Sequence, residues 1–310
     1  MTFIILLAAL AVPLAAEPRA ADRVQAQTTA TLDSQVRAII TKSGAEVAVA
    51  FRTLDGKSEL LIDPDNAFHA ASTMKVPVMI ELFRQAEAGT LKLDDPLPIR
   101  NEFRSIVDGS SYKLSEGDDS DREVYAKVGK TMTVRALNEA MITVSSNFAS
   151  NLLIEKLGVE NIRATVTKLG ADGMKVLRGV EDSKAFEKGL NNETTARGLL
   201  VLFEKLGQGR AVSPAADKEM IEVLKRQKFN DGIPAGLPPG TAVAHKTGTI
   251  TRIHHDAGIV YGPRPYVLVV LVRGIQEQKV SGPLMAEISK AVWGSYQLPA
   301  FGFQLPADSW

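Results

Sequence analysis

The sequence predicts an α/β protein of the α+β kind, in which a five-stranded antiparallel sheet flanked by terminal helices carries an inserted all-helical subdomain. Two patterns support this fold class. Apolar runs of strand length lie near the two ends of the chain, up to about residue 71 and beyond about residue 232. Between them, apolar residues recur at helical spacing. Strands separated by a run of helices predict one sheet with a helical insertion, and the cleft between the two parts is the natural site.

The elements near the start are a helix and a hairpin. From Thr31, apolar residues recur every three or four positions, which predicts a helix. The run 46–51 alternates, Asp55 and Gly56 form a two-residue hairpin signal, and 60–62 continues as a second strand. These two strands should therefore pair antiparallel at one side of the sheet.

The same two patterns predict the remaining elements. Strands are expected at 242–244, 257–261 and 266–272, followed by a closing helix around 284–292. Helices are expected at 76–88, 134–157, 161–169, 195–206 and 215–225. We therefore expect an α/β part at 27–71 and 232–310 and a helical part at 72–231. The acidic stretch 101–130 is expected as a solvated loop, with a lid over the cleft as the alternative.

The composition excludes several functional classes. The chain of 310 residues has 36 Lys and Arg against 36 Asp and Glu, and it has no cysteine. A balanced charge gives no electrostatic footprint for nucleic acid, so we expect no nucleic-acid partner. Without cysteine, disulfides, thiolate metal sites and cysteine nucleophiles are impossible. Covalent chemistry must therefore use another side chain.

The first segment is typical of an export signal. Residues 3–16 form an apolar run that Pro13 breaks and that is short for a membrane span, although the usual basic residue near the start is missing. Small residues suited to a signal peptidase occur at 14–16 and again at 24–26. We expect a signal peptide over 1–26 and a periplasmic or secreted mature domain over 27–310. An uncleaved membrane anchor is the alternative.

Three short motifs suggest chemistry. Ser72 and Lys75 are three residues apart, which in a helical turn places a hydroxyl and an amine on one face, so the amine can serve as a base. By itself this spacing also fits a capping serine and a surface lysine. Lys246, Thr247 and Gly248 follow a predicted strand and combine a fixed cation with a glycine that allows another backbone or a ligand to approach closely.

The third motif, Ser145-Ser146-Asn147, interrupts a helical apolar stripe, and a helix-to-helix connection with capping residues is its simplest explanation. Taken in order, however, Ser-x-x-Lys, Ser-x-Asn and Lys-Thr-Gly resemble the penicillin-recognising serine enzymes, specifically the class A β-lactamases. The resemblance runs from about residue 31 to about residue 293. It implies a β-lactamase/transpeptidase-like fold and an exported serine hydrolase that opens a β-lactam ring through an acyl-enzyme. It implies no cofactor and no metal, and we expect a monomer.

The resemblance also implies a role for each motif residue. Ser72 resembles the nucleophile, Lys75 its proton partner, and Ser145 the hydroxyl that relays a proton to the leaving nitrogen. The residues expected to bind substrate are Asn147 for the side-chain amide, Lys246 and Thr247 for the carboxylate, and Gly248 and Thr249 along the same strand. The backbone amides of Ser72 and Thr249 would form the oxyanion hole.

Deacylation in the family uses a glutamate on a loop between the second and third motifs, and Glu181 is the candidate general base. Asp182, Glu187 and Glu193 are nearby alternatives. The chain departs from the family pattern at three positions and in one spacing. Ser146 stands for aspartate, Asp182 for proline and Ala185 for the asparagine that helps to hold water, and the first two motifs are 73 residues apart, which locates an insertion at 101–130. These departures predict altered water positioning and a narrowed or covered cleft.

Other constellations carry less weight. His254, His255 and Asp256 suggest zinc or a triad, but neighbouring side chains of a strand point to opposite faces. One of the histidines, or Arg252, is expected beside the substrate carboxylate. The chain has no G-x-S-x-G elbow and no P-loop. The rival hypotheses are a D-alanyl-D-alanine peptidase that acts on a peptidoglycan peptide, and a cell-envelope binding module without activity.

Overall fold

A computed structural model of the protein describes residues 20–296, and the side chains from residue 29 onward. The predicted signal peptide, 1–26, lies largely outside the described residues, since only its last seven residues fall in the first described helix. The boundaries of the signal peptide and of the two parts of the domain stay predictions. Within residues 20–296, no helix is long and apolar enough to cross a membrane.

The centre of the molecule is a five-stranded antiparallel sheet, as predicted. Its strands are β1 (Glu46–Thr53), β2 (Glu59–Ile62), β3 (Ala242–Ile250), β4 (Ile253–Tyr261) and β5 (Tyr266–Arg273). They lie in the order β2-β1-β5-β4-β3, so the pairing of β1 with β5 joins the two ends of the chain. β3 is one of the two edge strands, and it extends beyond the predicted range 242–244 through the Lys-Thr-Gly motif.

Both faces of this sheet are covered. Successive residues of β5 alternate between two apolar clusters, with Val269 facing the helical part and Val270 facing the terminal helices α1 (Ala20–Ser43) and α9 (Gln278–Tyr296). A strand that is buried on both sides has no polar face to maintain. The sequence of β5 is therefore continuously apolar because both faces of the strand are buried.

The helical part follows the predicted pattern with one correction. The helix predicted over 134–157 is two helices, because residues 144–146 leave the helical path. Ser146 caps the second helix by accepting from the N–H of Ala149 at 3.2 Å. The helices of this part are α2 (Lys75–Glu87), α3 (Val134–Thr143), α4 (Asn147–Leu157), α5 (Val159–Leu169), α6 (Ser183–Glu187), α7 (Ala196–Gly207) and α8 (Pro214–Leu224).

The acidic stretch 101–130 is exposed over most of its length, as expected of a solvated segment, but it is not an irregular loop. It forms a short antiparallel pair, Phe103–Arg104 with Ser111–Tyr112, and two single turns. The side chains of Phe103, Leu114 and Val124 are buried in the same apolar cluster as the helical part. Because these few apolar residues anchor it, the insertion becomes a fixed wall of the cleft.

Candidate active site

Ser72 lies where a strained turn leads into a long helix. It is in the single turn Ala71–Met74, which continues directly into α2 at Lys75. Pro77 is tolerated because the first turn of a helix does not need its N–H. Ala71 has a φ of +46°, a conformation that L-residues rarely adopt. The turn exposes Ser72 to the cleft, while the side chain of Lys75 is fully buried.

The hydroxyl of Ser145 lies between two lysines. The Nζ of Lys75 is 3.2 Å from Ser145 Oγ and 2.6 Å from the Ser145 carbonyl oxygen, and it also donates to Asn147 Oδ1 at 2.9 Å. The Nζ of Lys246 donates to the same hydroxyl at 3.0 Å. A hydroxyl has two lone pairs and one proton. When both lysines donate to it, both lone pairs of Ser145 are used and its proton is directed elsewhere, as a proton donor requires.

Burial shifts both lysines toward the neutral amine. Desolvation lowers the pKa of Lys75 from 10.5 to about 7, although the nearby carboxylates of Asp119 and Glu181 oppose the shift. Burial also lowers the pKa of Lys246 well below its ordinary value, and the neighbouring charge of Lys75 adds to this. At neutral pH, a large fraction of Lys75 is therefore an amine that can accept a proton.

The edge strand β3 passes against the turn that carries Ser72. A Cβ placed on Gly248 would lie 3.1 Å from the backbone nitrogens of Ser72 and of Thr73. Only glycine allows this approach without displacement of backbone, as the sequence predicted. Thr247 and Thr249 of the same strand line the cleft beside Ser72.

Glu181 projects into the cleft from a loop with an unusual backbone. Its Oε1 accepts from Asn147 Nδ2 at 3.0 Å, and burial raises its pKa, an effect that this bond and a backbone hydrogen bond from Ser115 oppose. Its φ is +62°. Asn151 holds the preceding residue, Val180, from both sides, accepting from its N–H at 2.7 Å and donating to its carbonyl at 3.0 Å. The loop is therefore held in place at the residue just before the strained backbone of Glu181.

The structure separates Glu181 from its rivals. Asp182 also lines the cleft, but its buried carboxylate is held by Ser105 Oγ, from which it accepts at 2.8 Å, and by the N–H of Ile106, from which it accepts at 2.9 Å. It also caps α6 by accepting from the N–H of Ala185. Glu193 pairs with Lys175 at 2.9 Å, and Glu187 lines the cleft on the outer side. Of these four acids, Glu181 is the one that contacts the second motif.

Two adjoining cavities form the cleft. They measure about 260 and 620 Å³, and Ser72, Asn147 and Thr249 line both. The smaller cavity extends toward Thr247, His254, Asp118 and Asp231. The larger cavity extends toward Glu181, Val180, and the exposed side chains of Phe186 and Ile250. The nucleophile is therefore at the junction, where a substrate can extend to both sides.

The histidines have separate roles. His254 lines the smaller cavity and is fixed at Nδ1 by Ser281 Oγ at 2.8 Å, whereas Arg252 is exposed and donates to the Gly274 carbonyl at 3.2 Å. His254 is thus better placed than Arg252 to meet a substrate carboxylate. Burial lowers the pKa of His255 to about 4.

The pairing of Asp256 is one that the sequence analysis missed. It bonds His245 at 2.8 Å across the two strands rather than its neighbour His255. Among the side chains that the structure describes, those of residues 29–296, no group of three or more metal-ligating groups is placed to hold an ion.

Two further residues went unnoticed in the sequence. Asn151 holds the loop before Glu181, and Asp119 of the insertion binds the start of α4 through the N–H of Asn147. No local spacing links 151 to 180 or 119 to 147. The only sequence signal for Asn151 was its position one helical turn after Asn147, which places both side chains on the same face of the helix.

Comparison with known proteins agrees with this geometry. Residues 31–296 match the model of the beta-lactamase enzyme family. The chain belongs to this family. It is class A-like, and the expected family resemblance and fold are confirmed.

Individual relatives are distant but cover most of the chain. The extended-spectrum β-lactamase PER-1 of Pseudomonas aeruginosa is 24% identical over 84% of this chain and 86% of its own. An ancestral class A β-lactamase has a similar structure, with a TM-score of 0.74, 25% identity, and coverage of 86% of this chain and 100% of its own. A mutant of PBP-A, solved as an acyl-enzyme complex with penicillin G, has a TM-score of 0.74, 26% identity, and coverage of 86% and 96%.

Proposed function

We propose that this family member is an exported serine β-lactamase, in which a β-lactam acylates Ser72 and Glu181 activates the water that releases the product. One observation carries the proposal. Glu181 is connected to Lys75 through a single side chain, since Asn147 donates to Glu181 at 3.0 Å and accepts from Lys75 at 2.9 Å. A general base and an amine thus converge on the cleft that exposes Ser72. Export rests on the apolar segment within 1–26 alone.

Acylation follows from the two lysines and the shared hydroxyl. The neutral amine of Lys75 accepts the proton of Ser72 Oγ, which attacks the lactam carbonyl. The amides of Ser72 and Thr249 receive the oxyanion at the close approach near Gly248. The C–N bond then breaks, and the ring nitrogen takes the proton of Ser145. Lys75, 3.2 Å from Ser145 Oγ, returns a proton to that hydroxyl, so both groups are restored.

Deacylation is the role proposed for Glu181. Its carboxylate takes a proton from a water molecule that attacks the ester carbonyl, and the proton returns to Ser72 Oγ when the ester bond breaks. Ala185 supplies no side-chain amide for the water. Asn147 Nδ2 and the backbone of Ser115 instead fix the carboxylate itself. Turnover then depends on how firmly Glu181 is held.

The carboxylate of the substrate is proposed to lie in the smaller cavity. Thr247, Thr249 and His254 line it, and the buried amine of Lys246 donates to the Thr247 carbonyl at 2.9 Å. Asp118 and Asp231 lie at the same cavity and favour substrates with a cationic substituent there.

A D-alanyl-D-alanine peptidase is the second candidate. It is favoured by Ala185, which leaves the hydrolytic water with one fewer side-chain partner, and by the similarity to PBP-A. In this case, a peptidoglycan peptide would be the natural substrate and a β-lactam would remain on Ser72.

The deciding experiment combines purified protein with a penicillin and follows intact mass together with loss of the β-lactam absorbance. Catalytic loss of substrate with a transient adduct, both absent in Ser72→Ala, supports the β-lactamase. A stable adduct without turnover supports the peptidase, and release of D-alanine from a peptide then confirms it. Absence of both an adduct and substrate loss with each of several β-lactams refutes both candidates.

A further inference from the structure

The insertion contributes two side chains that bind the backbone on both sides of Ser145, and one of them, Ser120, also lines the smaller cavity. We propose that Asp119 and Ser120, which we call the clamp, are positioning residues that fix Ser145 and Asn147 for acylation. This inference rests on the proposed function, because it assigns a role in the acylation of Ser72. It makes the insertion part of the catalytic apparatus as well as a wall of the cleft.

The clamp binds the motif on both sides. The carboxylate of Asp119 accepts from the N–H of Asn147 at 3.0 Å through Oδ1 and from the N–H of Phe148 at 2.9 Å through Oδ2. The hydroxyl of Ser120 donates to the carbonyl of Val144 at 2.6 Å. Val144, just before Ser145, and Asn147, two residues after it, are thereby both bonded to one short segment.

The backbone at Ser145 requires such support. Its φ is +60°, a left-handed conformation that is unfavourable for serine, and it connects the end of α3 to the start of α4. Strained positions persist only where the surroundings determine them. The first two N–H groups of α4 have no partner within the helix and donate to Asp119. Without Asp119 these bonds no longer hold the start of α4, so the turn at Ser145 can relax more easily.

The geometry at stake is the pair of lysine contacts. Ser145 Oγ must remain near both Lys75 and Lys246, and Asn147 must remain between Lys75 and Glu181. A shift of the turn by a fraction of an ångström alters all these distances together. Loss of the clamp should therefore cost more free energy in the transition state of acylation than in the free energy of unfolding.

Asp119 also contributes a charge. It is 9% exposed, and its carboxylate raises the pKa of Lys75 against the effect of burial. The other charged groups that face Lys75 are Glu181, which raises its pKa as well, and Lys246, whose own pKa the charge of Lys75 lowers. Neutralisation of Asp119 therefore lowers the pKa of Lys75 further.

The test compares Asp119→Asn with the matched control Asp121→Asn. Asp121 belongs to the same segment, is 7% exposed and accepts from the N–H groups of Glu123 and Val124, but no bond joins it to the motif. The rate constant of Ser72 acylation by a fluorescent penicillin is measured by stopped flow from pH 5 to 9. Intact mass verifies the adduct, and thermal unfolding is recorded for each variant.

For Asp119→Asn, we expect acylation to be slower by about 10- to 100-fold above the pH at which Lys75 is neutral, since a misplaced catalytic group costs this much. The acidic limb of the profile should also move to lower pH. Asp121→Asn should keep the wild-type limb and lose less than about 3-fold. Equal effects of the two substitutions, or a wild-type rate in Asp119→Asn, would overturn the proposal.

Ser120→Ala keeps the experiment decisive if Asp119→Asn does not fold. Ser120 is exposed, so removal of its hydroxyl should leave the unfolding temperature unchanged while acylation slows by about 3- to 10-fold. Unchanged acylation in Ser120→Ala would then refute the clamp. Failure of the wild-type protein to form an adduct would refute the proposed function instead, so the two failures are distinguishable.

Discussion

Replacement of Glu181 by glutamine separates the two halves of the proposed reaction. The amide has nearly the same shape, and its oxygen can still accept from Asn147 Nδ2, which lies 3.0 Å from Oε1 in the native site. It cannot take a proton from water. The substitution therefore removes the general base and leaves the nucleophile and both lysines in place.

The size of the effect follows from the role. Loss of a general base costs about 10²- to 10⁴-fold in rate, which is roughly 2.7 to 5.4 kcal/mol of transition-state stabilisation. Acylation should change by less than about 10-fold, since Lys75 remains its base. Burial raises the pKa of Glu181, so the ionised carboxylate is disfavoured in the folded protein. The unfolding temperature of Glu181→Gln should thus be no lower than that of the wild type.

The assay follows the acyl-enzyme by intact mass after rapid mixing with a penicillin and removal of excess ligand. We expect the adduct to persist in Glu181→Gln and to disappear in the wild type. Glu187→Gln is the control, since Glu187 is the last residue of α6, the helix just after Glu181, and lines the same cavity. The assignment of Glu181 as the general base would be refuted if the adduct decayed in Glu181→Gln at the wild-type rate. An equally slow decay in Glu187→Gln would refute it as well.

Further predictions concern the groups around the nucleophile. Gly248→Ala should slow acylation at least 10-fold, because its Cβ would lie 3.1 Å from backbone nitrogens, and normal acylation would contradict the close approach. Asn151→Ala removes both bonds to Val180 and should lower the free energy of unfolding by about 1–3 kcal/mol and slow deacylation, as denaturant titration and adduct decay will show. Asp182→Ala loses the cap of α6 and should lower the unfolding temperature by about 3–8 °C without loss of acylation. Acylation should rise with pH through about 7, since Lys75 becomes neutral there, and a flat profile would contradict its role as base.

Local patterns in the sequence were sufficient for the sheet, most helices and the three motifs. The strands of the sheet are apolar runs that can be recognised without knowledge of distant contacts. The glycine of Lys246-Thr247-Gly248 predicts that another group lies close to this strand, and in the structure that group is the backbone of Ser72. The range 134–157 was predicted as one helix and is two, because the polar residues Ser145-Ser146-Asn147 that interrupt its apolar stripe form a left-handed turn that depends on contacts from outside the segment.

Tertiary structure alone decided what surrounds those motifs. The insertion was read as solvated because its acidic residues suggest water, yet Asp119 is buried against the start of α4, a helix that begins 28 residues later in the chain. Likewise, the choice of Glu181 over Asp182 depends on Ser105, which binds Asp182 from 77 residues away. The chemistry of the motifs could be predicted from the amino-acid sequence, since that chemistry belongs to the residue types. Their partners, burial and pKa values were decided by the fold, because these depend on which distant residues it brings together.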